Sequence, residues 1–231
     1  MKKKLIRRAF ADTIPVLTGY VVLGIGFGIL MSAAGFGAWH TLAMSALIYA
    51  GSLQYLAVGM LSGGVSLAAL ALTSLMVNAR HLFYGISMVE KYRGAGWRKG
   101  YIIFALTDET YSLVCKTPDG IDEAQRHDYY FLVSLMDHFY WVAGSLLGSL
   151  CGELITVSTE GVDFALTALF LTVLTDQWLK SKNHFAALTG LLASVACLLI
   201  FGRDGFLIPA MAVITAVLLA GKKFTGGAEN E

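Results

Sequence analysis

Apolar residues in this chain come in long blocks, with the charged residues pushed between them. Eight blocks can be drawn, over about 14–35, 40–61, 65–89, 100–115, 129–151, 163–180, 184–202 and 205–221. Most approach or reach the roughly 20 residues an α-helix needs to cross a bilayer. The pattern predicts an all-α fold, a polytopic transmembrane helical bundle of about 7–8 hydrophobic segments. One transmembrane domain is expected over 14–221, between a basic N-terminal stretch, 1–13, and a tail, 222–231. Asp12 and Thr13 are placed to cap the first helix. Pro15 would then fall in its first turn, where a missing N–H costs little.

Two blocks fit poorly. The fourth is short and carries Asp108 and Glu109 in its middle, and the second contains Ala50-Gly51-Ser52. Between the third and fourth lies a basic loop, 90–99, with Lys91, Arg93, Arg98 and Lys99. Three full crossings would put it opposite the N-terminus, Met1-Lys2-Lys3-Lys4-Leu5-Ile6-Arg7-Arg8, yet the positive-inside rule puts both in the cytoplasm. A re-entrant or broken helix removes the conflict, and it is expected at Ala50-Gly51-Ser52 or in the short fourth block. Irregular backbone survives at that depth only where protein or a water-filled cavity shelters it. The N-terminus also resembles a signal peptide, but the block that follows exceeds the roughly 7–15 apolar residues of such a leader. It is expected to stay as a spanning helix with its N-terminus in the cytoplasm.

A weak internal repeat is present. Gly24, Gly28, Ser32 and Gly35 stripe the first segment, and Gly144, Gly148 and Gly152 the fifth. Ser52-Leu53-Gln54-Tyr55-Leu56 follows the first stripe and Thr175-Asp176-Gln177-Trp178-Leu179 the second. This suggests a duplicated three-helix unit over 12–90 and 128–205, as in many secondary transporters.

Composition narrows the class. The chain has 231 residues, 56% hydrophobic and 14% charged, and its 17 basic and 16 acidic residues leave a net charge of +1. Its mean hydropathy is +0.66. Soluble domains are about 25% charged. A nucleic-acid partner and a disordered chain are excluded, and the lipid bilayer is the expected surrounding. Three cysteines without a C-x-x-C pair suggest small buried hydrophobes, not a disulfide framework or a metal site. The sequence has no H-E-x-x-H and no Walker A motif, and no base is spaced to serve Ser52 as a nucleophile. No catalytic residue, cofactor or metal is expected, and the chain does not read as an enzyme.

The informative residues are polar ones inside apolar blocks. Arg80 lies in Asn78-Ala79-Arg80-His81, too deep in the third block to reach the surface comfortably. An arginine there costs roughly 2.5–3.5 kcal/mol on insertion scales, so it should face a partner or water. Ser74, Asn78, His81 and Gly85 share a helical stripe, with Arg80 and Tyr84 on its edge. Asp108 and Glu109 point about 100° apart on a helix. One is expected to pair with Arg80 and the other to face a cavity. Asp137 shares a face with Trp141, Gly144, Gly148 and Gly152, while His138 reads as an interface residue. Asp176 can pair with Lys180. Gln54 and Gln177 are amides that need partners. The run Gly24-Ile25-Gly26-Phe27-Gly28 either loosens its helix to expose backbone groups or packs closely against another helix.

Several stretches together resemble the AzlC family, the large subunit of branched-chain amino-acid exporters. They are Ala9-Phe10-Ala11-Asp12-Thr13-Ile14-Pro15, the glycine run, Tyr49-Ala50-Gly51-Ser52-Leu53-Gln54-Tyr55, Asn78-Ala79-Arg80-His81-Leu82-Phe83-Tyr84-Gly85 and Leu106-Thr107-Asp108-Glu109-Thr110-Tyr111. The resemblance covers about 8–220. It implies a multi-pass protein of the prokaryotic cytoplasmic membrane that exports leucine, isoleucine, valine and, in some members, methionine. It also implies a small AzlD-type membrane subunit as partner.

Physical reasoning adds residue roles. A small hydrophobic amino-acid substrate is a zwitterion with an apolar side chain. Arg80, Asn78, Gln54, Gly51, Tyr84 and Phe27 are the expected substrate-binding residues, and Asp108, Glu109 and Asp137 the expected proton-coupling ones. The alternatives are an ion or small-solute channel, and a structural subunit of a membrane complex.

Overall fold

The computed structural model describes residues 2–115, 118, 120–154, 171, 174–175, 178–179 and 184–225. The chain divides into two compact units, residues 1–166 and 167–231. Every regular element among the described residues is helical. In the first unit these are α1 (Lys2–Ala33), α2 (Ala38–Leu47), α3 (Gly51–Ser62), α4 (Leu67–Met88), α5 (Arg98–Phe104), α6 (Asp108–Val114) and α7 (Arg126–Leu154). In the second they are α8 (Phe185–Gly205), kinked at Gly202 where φ is 71°, and α9 (Leu207–Thr225). Asp176, Gln177 and Lys180 lie outside the described residues, so the second repeat motif is described only in part. Among the described residues, three stretches are long and apolar enough to cross a membrane: Lys3–Ala33, Glu123–Leu154 and Phe185–Gly202.

α1 starts at Lys2, twelve residues before the start expected at about 14. Asp12 is no cap: its carboxylate takes Arg8 Nε at 2.9 Å and the Tyr129 hydroxyl at 2.9 Å. Thr13 turns its hydroxyl back to the Phe10 carbonyl, one turn before Pro15, and the helix runs on through the proline. At 32 residues α1 is about 48 Å long, more than the roughly 30 Å hydrocarbon core, so part of it extends beyond the lipid.

α1 and α7 run parallel and interlock along their glycines. A Cβ on Gly24 would lie 2.9 Å from Ser145 N, and one on Gly144 3.0 Å from Val21 O. A Cβ on Gly152 would lie 2.8 Å from Ser32. The glycine run is therefore a packing surface inside an unbroken helix, and it exposes no backbone to a ligand.

The second and fourth apolar blocks are both broken, at the places where the sequence is weakest. α2 descends antiparallel to α7. The Ala38 N–H donates to Glu153, Thr41 bonds Ser149 at 3.1 Å, and the Ser45–Ala46 backbone meets His138. The chain then turns at Tyr49, whose φ of 46° is left-handed, and α3 climbs back along α1. Tyr55 donates to the Leu23 carbonyl at 2.6 Å and packs on Phe27 at 5.7 Å. The pair α2–α3 is a re-entrant hairpin.

The pair α5–α6 is a second one, entering from the other end. Arg98 pairs with Asp128 near the start of α7, and Tyr101 reaches His138 Nδ1 at 2.9 Å. The chain turns over Ala105–Thr107, and α6 retreats along α4. Tyr111 stacks on Tyr84 at 4.7 Å and Lys91 donates to the Cys115 carbonyl.

α4 runs the whole distance between the two hairpin mouths. Its C-terminal Met88 joins Leu5, Ala9, Tyr92, Ala95, Tyr129 and Val133 in one apolar cluster. Trp97 and Arg98 line a cavity with Leu5 and Ile6. The basic loop and the start of α1 thus share one end of the unit, which removes the charge conflict posed by plain crossings. The second apolar cluster, with Val16, Phe27, Tyr55 and Trp141, lies further along α1 and α7.

The cysteines correct one expectation. Only Cys197 is buried; Cys115 is half-buried and Cys151 exposed, and all three are free.

Candidate functional site

The polar residues gather where the two hairpin tips meet. Thr107 caps α6, accepting the Thr110 N–H at 3.3 Å, so Asp108 and Glu109 fall in its first turn. Acidic residues are favoured there, beside unbonded N–H groups. α3 begins at the other tip, and its second residue is Ser52.

Arg80 of α4 joins both tips. One guanidinium nitrogen donates to Asp108 Oδ2, the other to Ser52 Oγ at 2.9 Å. His81 Nε2 stands 3.9 Å from the second Asp108 oxygen. The side chains of Arg80 and Asp108 are 36% and 33% exposed, so the pair is open on one side. Arg80 Nε, Asp108 Oδ1 and the half-buried Asn78 Oδ1 have no hydrogen-bond partner. Ser52 meets a guanidinium instead of a general base, which removes the reason to read it as a nucleophile.

Glu109 points the other way. Its Oε2 accepts from the Tyr20 hydroxyl at 2.7 Å. Tyr20 also lies 2.7 Å from Thr107 Oγ1, which bonds Thr110 Oγ1 at 3.2 Å. Thr110 donates to Asp137 Oδ2 at 2.8 Å. Asp137 is fully buried, and its Oδ1 has no partner. The sequence singled out both carboxylates but missed the three hydroxyls between them, because a tyrosine and two threonines are ordinary in membrane helices.

Gln54 occupies the base of α3, fully buried. Its Oε1 accepts from the Ala50 N–H at 3.2 Å and Trp141 Nε1 at 3.0 Å, leaving Nε2 without a partner. Gly51 lies under the Trp141 ring, 3.0 Å from a would-be Cβ. Phe27, also fully buried, stacks on Trp141 at 6.1 Å. The expected residues therefore divide. Arg80, Asp108, Tyr84 and Asn78 lie on the open side; Gln54, Gly51 and Phe27 surround Trp141; Glu109 and Asp137 end the hydroxyl chain. A cavity of about 380 Å³ between α4 and α5 runs from Tyr92 and Lys99 to His81.

Residues 15–155 match the family model described as AzlC protein. The chain is 45% identical over 219 residues to the Bacillus subtilis protein named "Branched-chain amino acid transport protein AzlC", covering 94% of this chain and 85% of that one. It is 41% identical over 215 residues to an uncharacterized membrane protein of Haemophilus influenzae, covering 92% and 87%. A membrane protein of Helicobacter pylori is 37% identical over 222 residues, covering 95% and 96%. No solved structure matches. The chain belongs to the AzlC family, which is a family of membrane transport proteins and not of enzymes.

Proposed function

We propose that the chain exports branched-chain amino acids, with methionine as a further substrate, across a prokaryotic cytoplasmic membrane, driven by the proton gradient and together with a small AzlD-type subunit. The observation that carries this reading is the Arg80–Asp108 pair, held at the junction of two broken helices and open on one side. Broken helices meeting at mid-depth are where secondary transporters bind their substrates. A zwitterion fits between the two partners: its carboxylate replaces Asp108 on the guanidinium, and its ammonium replaces Arg80 on the carboxylate. The stacked rings of Tyr84 and Tyr111 supply an apolar wall for the side chain. The name of the Bacillus subtilis relative supports the substrate class.

Gln54 Nε2 and the N-terminal turn of α3 at Gly51 are further donors for the carboxylate, once the hairpin tip moves. Asn78 Oδ1, without a hydrogen-bond partner on α4, is a further acceptor for the substrate ammonium, and Phe27 backs the tip through Trp141. Asp108, Glu109 and Asp137 couple transport to protons. The shared end of the N-terminus and the basic loop faces the cytoplasm, as their charge requires.

The test is efflux of labelled valine from preloaded cells, with and without the chain and its partner subunit. Arg80→Ala and Asp108→Asn should insert normally and lose efflux. Normal efflux from both variants sinks the site assignment.

A further inference from the structure

We propose that Glu109 and Asp137 are the two ends of a proton wire made of the Tyr20, Thr107 and Thr110 hydroxyls, and that this wire holds one transferable proton. The proposal rests on the proton-coupled reading above and assigns the path.

The case is a count of hydrogens. Glu109–Tyr20, Tyr20–Thr107, Thr107–Thr110 and Thr110–Asp137 are four successive oxygen–oxygen hydrogen bonds, of 2.7, 2.7, 3.2 and 2.8 Å. The three hydroxyls supply three hydrogens. With both carboxylates ionised, one of the four bonds has no hydrogen. One added proton completes the chain, and it completes it in either sense. With the proton on Glu109, donation runs Glu109 to Tyr20 to Thr107 to Thr110 to Asp137. With the proton on Asp137, every donation reverses.

Passage between the two states is balanced within the chain. Four O–H bonds break and four form as each hydrogen moves to the next oxygen. Glu109 becomes a carboxylate, Asp137 becomes a carboxylic acid, and each hydroxyl keeps one hydrogen. No other reactant is needed. Thr107 can serve both directions because its second lone pair is taken by the Thr110 N–H, which fixes it at the head of α6.

Burial gives the wire a polarity in space. Glu109 is half-buried, whereas Tyr20 is 4% exposed and Asp137 not at all. Asp137 Oδ1, buried and without a hydrogen-bond partner, leaves the inner end ready for one more donor. The wire also crosses three elements, α1, the α5–α6 hairpin and α7, so movement of that hairpin would break it on both sides, at Glu109–Tyr20 and Tyr20–Thr107 toward α1 and at Thr110–Asp137 toward α7. The titratable groups facing it are Tyr49, Tyr101 and Tyr129 around Asp137, and Tyr84 with Asp108 near Glu109. Carboxylates connected in this way inside a membrane are the usual material of proton relays.

The test uses vesicles from cells that co-express the chain with its AzlD-type subunit. Two fluxes are read: net leucine transport driven by a pH gradient, and leucine–leucine counterflow at equal pH, which needs no net proton movement. Tyr20→Phe should lower the driven flux by about tenfold or more and leave counterflow intact. Thr110→Val should do the same, and Thr110→Ser, which restores the hydroxyl, should recover the driven flux. Driven flux at the wild-type level in Thr110→Val overturns the wire, even where Tyr20→Phe fails to fold. A wild-type flux indifferent to the pH gradient overturns the coupled reading instead. The wire is then judged on infrared spectra alone. A protonated-carboxyl band at neutral pH that shifts in Tyr20→Phe and is lost in Glu109→Gln with Asp137→Asn sustains it; no such band overturns it.

Discussion

The ring of Tyr49 lies 6.3 Å from that of Phe104, and this contact joins the tips of two hairpins that enter from opposite ends. Neither hairpin crosses the unit. α1, α4 and α7 run its length, which predicts three changes of side over the described residues up to Leu154. Single cysteines placed at Lys4 and Arg93 in a cysteine-free background should therefore react with an impermeant thiol reagent from the same side of the membrane. A cysteine at Gly64, in the turn after α3, should react from the opposite side. Labelling of the Lys4 and Arg93 positions from different sides would refute the hairpins.

The guanidinium of Arg80 spans two acceptors on different hairpins, Ser52 and Asp108. A lysine keeps the charge but presents a single nitrogen in place of the planar fork. Arg80→Lys should accordingly insert at wild-type levels and lose about tenfold or more of its transport. Ser52→Ala, which removes one arm only, should lose less. Equal activity in Arg80→Lys and the wild type would show that the bridging geometry has no role.

Gly24 and Gly59 lie in opposite surroundings, and alanine tells them apart. A Cβ on Gly24 runs into Ser145 N at 2.9 Å, backbone that cannot rotate away, whereas Gly59 has nothing within 4 Å. Gly24→Ala should lower stability by about 1–3 kcal/mol, as overpacking does. Gly59→Ala should leave it unchanged or raise it by about 0.5–1 kcal/mol, through the helix preference for alanine. Thermal unfolding in detergent measures both. The reverse order would mean that α1 and α7 do not interlock here.

Gln54 accepts two hydrogen bonds inside the protein, from the Ala50 backbone and the Trp141 indole. Gln54→Leu strands both donors, at a cost of about 1–3 kcal/mol each. Trp141→Phe removes one of those donors, so the two substitutions should couple. A double-mutant cycle should give an interaction energy of about 0.5–3 kcal/mol. Simple additivity would deny the contact.

The breaks were legible because they leave marks on a one-dimensional pattern. A block too short to span, Ala50-Gly51-Ser52 inside another, and a basic loop on the wrong side each violate a membrane rule. Arg80 and an acidic partner were legible for the same reason: a charge at depth demands a counter-charge. The end from which each hairpin enters was not legible, because re-entry is fixed by contacts such as Thr41–Ser149 and Tyr84–Tyr111, more than 25 residues apart in sequence. Asp12 and Thr13 misled, since their side chains bond within and across helices where a cap was expected. The hydroxyl chain was invisible, because it depends on three elements meeting and on residues that carry no charge.

The parallel seam of α1 and α7 has a mechanical consequence. Two helices locked backbone to backbone along glycines cannot slide or rock past each other without clashing. They form a stator. On the proposed reading, access to Arg80 and Asp108 alternates by displacement of the hairpin tips, whose turns at Tyr49 and Ala105–Thr107 are held by rings and side-chain bonds that can exchange. On that reading the short helices of the first unit are its moving parts, and α1 and α7 are the frame.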